Sequence, residues 1–378
     1  MYTLDRARSR CEALLPGLLG KLAEVPLLDW EQPGNPGLDL FRGCGGPGLV
    51  IPKEYGGLGG SAADAVEVLR AIGAASPSLA VATAMHHFSL ASLFAVTDTL
   101  EPSPEERALL AAIADQNLLV ASGFAEGRPG QGVLSPLMTG ARGEGGIRVS
   151  GAKKPCSMSR SMDLFSASVA VPTENGGSEL KLMLVPAATP GVSVHPFWQA
   201  PVLAGAESDE VRLEDVFVDD RLLVDAEIGD SGELDALQTV GFIWFEVLIT
   251  SCYLGMASAL AERAFADSRR GTELLSALGV RLETAALLLD SVARRLVTDE
   301  PDNRLLTLAV TARYGAQDAI TDAVALAVEA LGGIAFIGGQ EVAYLATAAR
   351  CVTFHPPTRV STHAALAAAL RGGVLRLS

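Results

Sequence analysis

Thr239-Val-Gly-Phe-Ile-Trp-Phe-Glu-Val-Leu-Ile-Thr-Ser-Cys-Tyr-Leu-Gly-Met-Ala257 lies in a run, between Asp235 and Glu262, in which Glu246 is the single charged residue. The run is too long for a strand, and its surroundings from Leu234 to Ser268 keep helical apolar spacing, so it reads as a core helix. An isolated carboxylate there costs several kcal/mol in lost hydration, so Glu246 either pairs with an arginine from elsewhere or performs chemistry. Burial raises a carboxyl pKa, which suits a general base working near neutral pH.

Working outward, the helical period continues downstream over Glu273–Val297, Arg304–Leu331 and Gln340–Cys351. Upstream the period changes to two. Leu118–Ala125, Ile147–Gly151, Leu164–Val171, Leu180–Val185, Val192–Val194 and Val211–Val218 read as short strands separated by Gly, Pro, Asn and Ser turns. Further upstream Leu4–Val25, Ala62–Gly73 and Leu79–Val96 are again helical, with Ser61 as an N-cap. The chain therefore reads as α+β with segregated layers: an α domain over 1–118, a small β barrel or sandwich over 119–228, and a helical bundle over 229–378.

The 378 residues carry a net charge of −15, and their Lys and Arg are scattered, which argues against a nucleic-acid surface. Cys11, Cys44, Cys156, Cys252 and Cys351 are far apart, as expected of reduced thiols, and neither they nor the five histidines have metal-site spacing. The apolar runs look broken before membrane-spanning length and the N-terminus lacks an apolar signal core, so the expectation is a cytoplasmic protein with no membrane partner.

Several strings in this order resemble the acyl-CoA dehydrogenase family. They are Ile51-Pro-Lys-Glu-Tyr-Gly-Gly-Leu-Gly-Gly, Phe124-Ala-Glu-Gly-Arg-Pro-Gly-Gln-Gly, Val149-Ser-Gly-Ala-Lys-Lys-Pro-Cys-Ser-Met-Ser-Arg-Ser-Met-Asp-Leu-Phe and Val211–Val224. The resemblance implies FAD held between the β domain and a C-terminal four-helix bundle. It places Ser157 at flavin N5, Phe124 and Ala125 along the isoalloxazine, Gln131 in the place of a loop serine, and Pro155 where an aromatic usually covers the ring. It makes Gly332 and Gly333 a pyrophosphate turn, or a plain helix cap. Arg269 or Arg270 becomes a pyrophosphate partner, or a solvated helix end, and Thr358 a cofactor contact.

The family's usual catalytic glutamate aligns with Pro356 in Phe354-His-Pro-Pro-Thr, and a proline cannot take a proton. Some members carry the base on the first bundle helix, at the depth of Glu246. The leading expectation is thus dehydrogenation of an acyl thioester by Glu246 and FAD. The substrate would be on CoA or an acyl carrier protein in a specialised biosynthetic branch such as polyketide assembly, with a separate electron acceptor, and His87, Phe242 and His355 around it. The alternative is a flavin-dependent monooxygenase or N-oxygenase on the same fold, with His87 or His355 catalytic and Glu246 structural. A third reading is a relative that has lost its flavin. Ala- and Leu-rich surface over Leu305–Leu331 points to a homodimer or homotetramer.

Overall fold

The computed structural model describes residues 1–97, 104–127, 136–173, 175–226, 234, 236–266 and 271–377. Its N-terminal layer comprises α1 (Tyr2–Leu14), α2 (Leu18–Leu22), α3 (Gly37–Gly43), α4 (Ala62–Ala75), α5 (Pro77–Thr97) and α6 (Pro104–Asp115). The single helix expected over Leu4–Val25 is two, because Pro16 interrupts the hydrogen-bond ladder. Ser61 does cap α4: its hydroxyl accepts the Asp64 amide at 3.2 Å while the Asp64 carboxylate accepts the Ser61 amide at 3.0 Å.

The strands are β1 (Val120–Gly123), β2 (Thr139–Gly143), β3 (Gly146–Cys156), β4 (Leu164–Pro172), β5 (Ser178–Pro186), β6 (Val192–His195), β7 (Asp209–Asp219) and β8 (Leu223–Ala226). They form one sheet in the order β6-β7-β3-β2-β4-β5-β8, with β1 added parallel to β4. β4 lies centrally and is buried along nearly its whole length, which explains its unbroken apolar run. β1 reaches across to α5, so the sheet's edge opens toward the helical layers.

The C-terminal layer holds α7 (Ala236–Ala266), α8 (Thr272–Thr298), α9 (Asn303–Gly338), α10 (Gln340–Ala348) and α11 (Arg359–Leu370). α9 runs past the expected end at Leu331 and kinks at Gly332, whose φ of 78° favours glycine. α7 packs against α4, α5, α8 and α9. At its crossing with α4 the backbones nearly touch: a Cβ on Gly73 would meet the Cys252 carbonyl oxygen at 2.4 Å, and one on Gly255 the Arg70 carbonyl oxygen at 2.2 Å. Both α7 and α9 are long and apolar enough to cross a membrane, contrary to the reading of broken runs; the α7 stretch is 83% buried in the fold and that of α9 only 28%.

The layers are joined at Glu31. Its buried carboxylate sits at the start of α5, accepting the Ser78 amide at 3.1 Å and the Ser78 hydroxyl at 2.5 Å. It also accepts the Tyr344 hydroxyl from α10, while the Tyr344 oxygen accepts the Leu203 amide at 2.8 Å.

Candidate functional site

Where α5, α7 and the sheet meet, a partly open cavity of about 160 Å³ lies between them. Met85, Phe88 and Ser92 face it from α5, and Gln238, Gly241, Phe242 and Phe245 from α7. Both sets have the spacing that puts residues on one helical stripe. The chain leaving β1 adds Phe124 and Ala125, the end of β3 adds Pro155 and Ser157, and the turn before α11 adds His355 and Pro356. Phe88 is the hub of the aromatic wall, with ring centroids 5.4 Å from Phe124 and 5.6 Å from Phe245, both edge to face. Ser157 is buried, and its hydroxyl shares a 3.0 Å hydrogen bond with that of Ser208.

The imidazole of His355 is the polar group whose state can be argued. Tyr253 of α7 is fully buried, and its hydroxyl lies 2.5 Å from His355 Nε2. Burial holds the Tyr253 phenol well above its ordinary pKa, so it keeps its proton, and since Nε2 is the one acceptor beside that hydroxyl among the described residues, the proton is donated to Nε2. Burial, and secondarily the Arg313 charge, lower the His355 pKa to about 3. The ring is therefore neutral, with its remaining proton on Nδ1.

Glu246 is absent from the cavity wall. It is fully buried, and Arg313 of α9 donates to its Oε2 at 2.9 Å. Burial pushes the carboxyl up to about 7, against the pull of Arg313. The same guanidinium donates to the carbonyls of Val352 and His355 at 3.0 Å and of Pro356 at 3.3 Å. Arg313 is the arginine partner from elsewhere in the fold that one reading of Glu246 expects. Arg313 was missed in the sequence although it carries the same signal, the one charge between Arg304 and Asp318.

His87 points away from the cavity. Met85, Phe88 and Ser92 occupy the facing stripe, so His87 turns inward, its ring 5.7 Å from that of Phe41, with neither nitrogen hydrogen-bonded among the described residues. Its neighbour His86 is locked instead: Nδ1 accepts the Val120 amide at 3.0 Å, and Nε2 therefore donates to the Pro47 carbonyl at 2.9 Å. Thr358 caps α11, accepting the Ser361 amide at 3.3 Å. Gly332 is the α9 kink, Gly333 follows it within the helix, and neither lines the cavity. Gln131, Arg269 and Arg270 lie outside the described residues. Glu126 accepts the Leu137 and Met138 amides at 2.9 and 3.0 Å and the buried Lys153 ammonium at 2.8 Å.

Residues 28–97 match the family model described as acyl-CoA dehydrogenase, N-terminal domain. Over all 378 residues, 100% of both chains, the sequence is 47% identical to isobutylamine N-hydroxylase of Streptomyces viridifaciens. The chain belongs to the acyl-CoA dehydrogenase family. Among solved structures of that fold, FMN-bound TdsC from Paenibacillus sp. A11-2 superposes with a TM-score of 0.82 at 20% identity, covering 100% of this chain and 99% of the other. Nitrososynthase from Micromonospora carbonacea var. africana gives 0.79 at 21% identity, covering 97% and 96%. The chain is thus an oxidoreductase from a flavoprotein family, but acyl-thioester dehydrogenation, the leading expectation, is overturned. The full-length relative is an N-hydroxylase, Glu246 is engaged by Arg313, and no carboxylate lines the cavity among the described residues.

The cavity suits the flavin that the family implies. Phe124, Ala125, Pro155 and Leu182 supply apolar groups that would hold a fused ring, and the hydroxyls of Ser122 and Ser157 are polar groups in the same lining that would hydrogen-bond to it.

Proposed function

We propose that the chain is a flavin-dependent N-hydroxylase of a short aliphatic primary amine. The observation that carries this reading is the character of the cavity: apolar, without a charged side chain among the described lining residues, and with one imidazole held neutral. Reduced flavin, when bound, supplies the two electrons that activate dioxygen. The amine, dioxygen, two electrons and two protons become a hydroxylamine and water, the nitrogen gaining an N–O bond and losing one N–H.

The chain's own part follows from its residues. Met85, Phe88 and Phe242 form an apolar lining that suits an alkyl chain and keeps water away. An alkylammonium has no lone pair and is disfavoured in an uncharged apolar site, so the amine enters as the free base. His355 holds a proton at Nδ1 for an oxygen atom that gains negative charge, acting as a neutral donor since Nε2 is occupied by Tyr253. We take the flavin to be FAD, delivered reduced by a separate reductase, with FMN as the alternative. We also infer a second copy over the exposed apolar residues Ile334, Ile337 and Val360, which sedimentation at several concentrations would reveal as a dimer or larger.

The test supplies isobutylamine, reduced FAD or FMN, and ¹⁸O₂. An N-hydroxy product carrying one ¹⁸O supports the reading, and the flavin that gives faster turnover identifies the cofactor. Between pH 8 and 10, kcat/KM should climb about tenfold per unit, because an alkylamine loses its proton near about 10.4, as lysine does. No label on nitrogen from any short amine, with either flavin, would overturn the reading.

A further inference from the structure

We propose that Glu246 and Arg313 form a positioning device that sets the orientation of His355 in the cavity. This rests on the N-hydroxylase reading for its catalytic consequence, though not for its geometry. The turn over Ala349–Phe354 ends without a following helix, leaving carbonyl groups without partners inside it. Arg313 collects one of them and the next two carbonyls beyond the turn: Nη2 donates to Val352 and His355, and Nη1 to Pro356. The negative end of the turn and the planar fork of the guanidinium suit each other.

A guanidinium only 1% exposed cannot hold this position alone, because an uncompensated charge in the interior is strongly unfavourable. Glu246 supplies the compensation. It sits one helical turn along α7 from Phe242, with Arg313 and Tyr314 of α9 as the titratable groups that act on it; Phe88 lines the cavity from α5. Two turns further along α7, Tyr253 holds the ring of the same histidine whose backbone Arg313 holds. One helix therefore fixes both the main chain of His355, through Arg313, and its imidazole, directly. Tyr314, next to Arg313, adds a third anchor by donating to the Pro357 carbonyl at 3.0 Å. Glu246 is a positioning residue here: it touches neither cavity nor substrate, and acts through Arg313.

The experiment uses the full chain and the variants Glu246→Gln, Arg313→Lys, His355→Asn and the double Glu246→Gln/His355→Asn. With ¹⁵N-labelled histidine and no flavin, NMR reads the tautomer of each ring, and His355→Asn assigns the His355 signals. In the wild type His355 should show protonated Nδ1 and accepting Nε2. In Glu246→Gln those signals should broaden or become a tautomer mixture, while those of His86, locked by Pro47 and Val120, stay unchanged and report an intact fold. If Glu246→Gln loses the His86 signals, Arg313→Lys carries the test, since lysine keeps the charge but cannot bridge three carbonyls.

In N-hydroxylation, Glu246→Gln should lower kcat about 100-fold, the cost of a small misplacement, and the double variant should be no slower than His355→Asn alone. Unchanged His355 signals in a folded Glu246→Gln protein, or losses that multiply in the double variant, would overturn the proposal. If the wild type hydroxylates no amine, the functional reading fails, while the NMR result still decides the geometric one.

Discussion

Glu246 has a pH signature that separates it from an ordinary surface acid. Its folded pKa of about 7 lies above the reference of 4.5, so between those values the folded chain binds more protons than the unfolded one. Its favourable contribution is therefore fully present below about 4.5 and is lost as pH rises through 7. Glu246→Gln, which cannot titrate, should gain stability relative to wild type by on the order of 3 kcal/mol between pH 4.5 and 8, read from denaturant midpoints. A constant offset across that range would show that the group does not titrate. Sequence marked this residue because a lone charge in an apolar run announces a cost, but the run cannot say what meets the cost. The partner is on another helix, 67 residues away, and spacing along one helix carries no information about it. The histidines show the opposite limit. His86 and His87 are adjacent, and only the rotation of α5, fixed by packing, decides that neither faces the cavity while Phe88 does.

At the scale of elements, hydrophobic period was enough to find the long helices α7 and α8 to within a few residues and α9 up to its kink, along with strands β3 to β7. Two strands escaped it. β2 reads Thr-Gly-Ala-Arg-Gly and β8 Leu-Val-Asp-Ala, too short and too poor in apolar alternation to signal themselves; their neighbours in the sheet recruit them. The crossing of α4 and α7 was equally silent, since a glycine in a helix states only that something comes close. Gly255→Ala should cost about 1 to 3 kcal/mol, because its methyl group would meet the Arg70 carbonyl and force the two helices apart. A thermal midpoint equal to wild type would mean that the crossing has slack.

Across the whole molecule, the buried neutral histidines set the acid limit. His86 falls to about 4, His355 to about 3 and His87 well below 6.5, chiefly through burial. Unfolded histidine takes a proton near 6.5 and these do not, so stability present above that pH is lost as it falls toward 4; His86 alone accounts for on the order of 3 kcal/mol. Glu246 and Glu31, with raised values, pull the other way but are fewer. His87, whose nitrogens have no partner among the described residues, is the one to replace. His87→Leu should raise the thermal midpoint at neutral pH and flatten its decline below pH 6, and a lower midpoint at both would show that the ring has an unseen partner.

The hydroxyl that Tyr344 gives to Glu31 comes from 313 residues further along the chain. During synthesis Glu31 therefore has Ser76 and Ser78 as its partners among the described residues, and gains Tyr344 only when almost the entire polypeptide has left the ribosome. A fragment ending at residue 118 should then be a poor folder, exchanging its amide protons far faster than the same segment in the complete chain. Maturation would be decided at the last helices, making late truncations nearly as damaging as early ones.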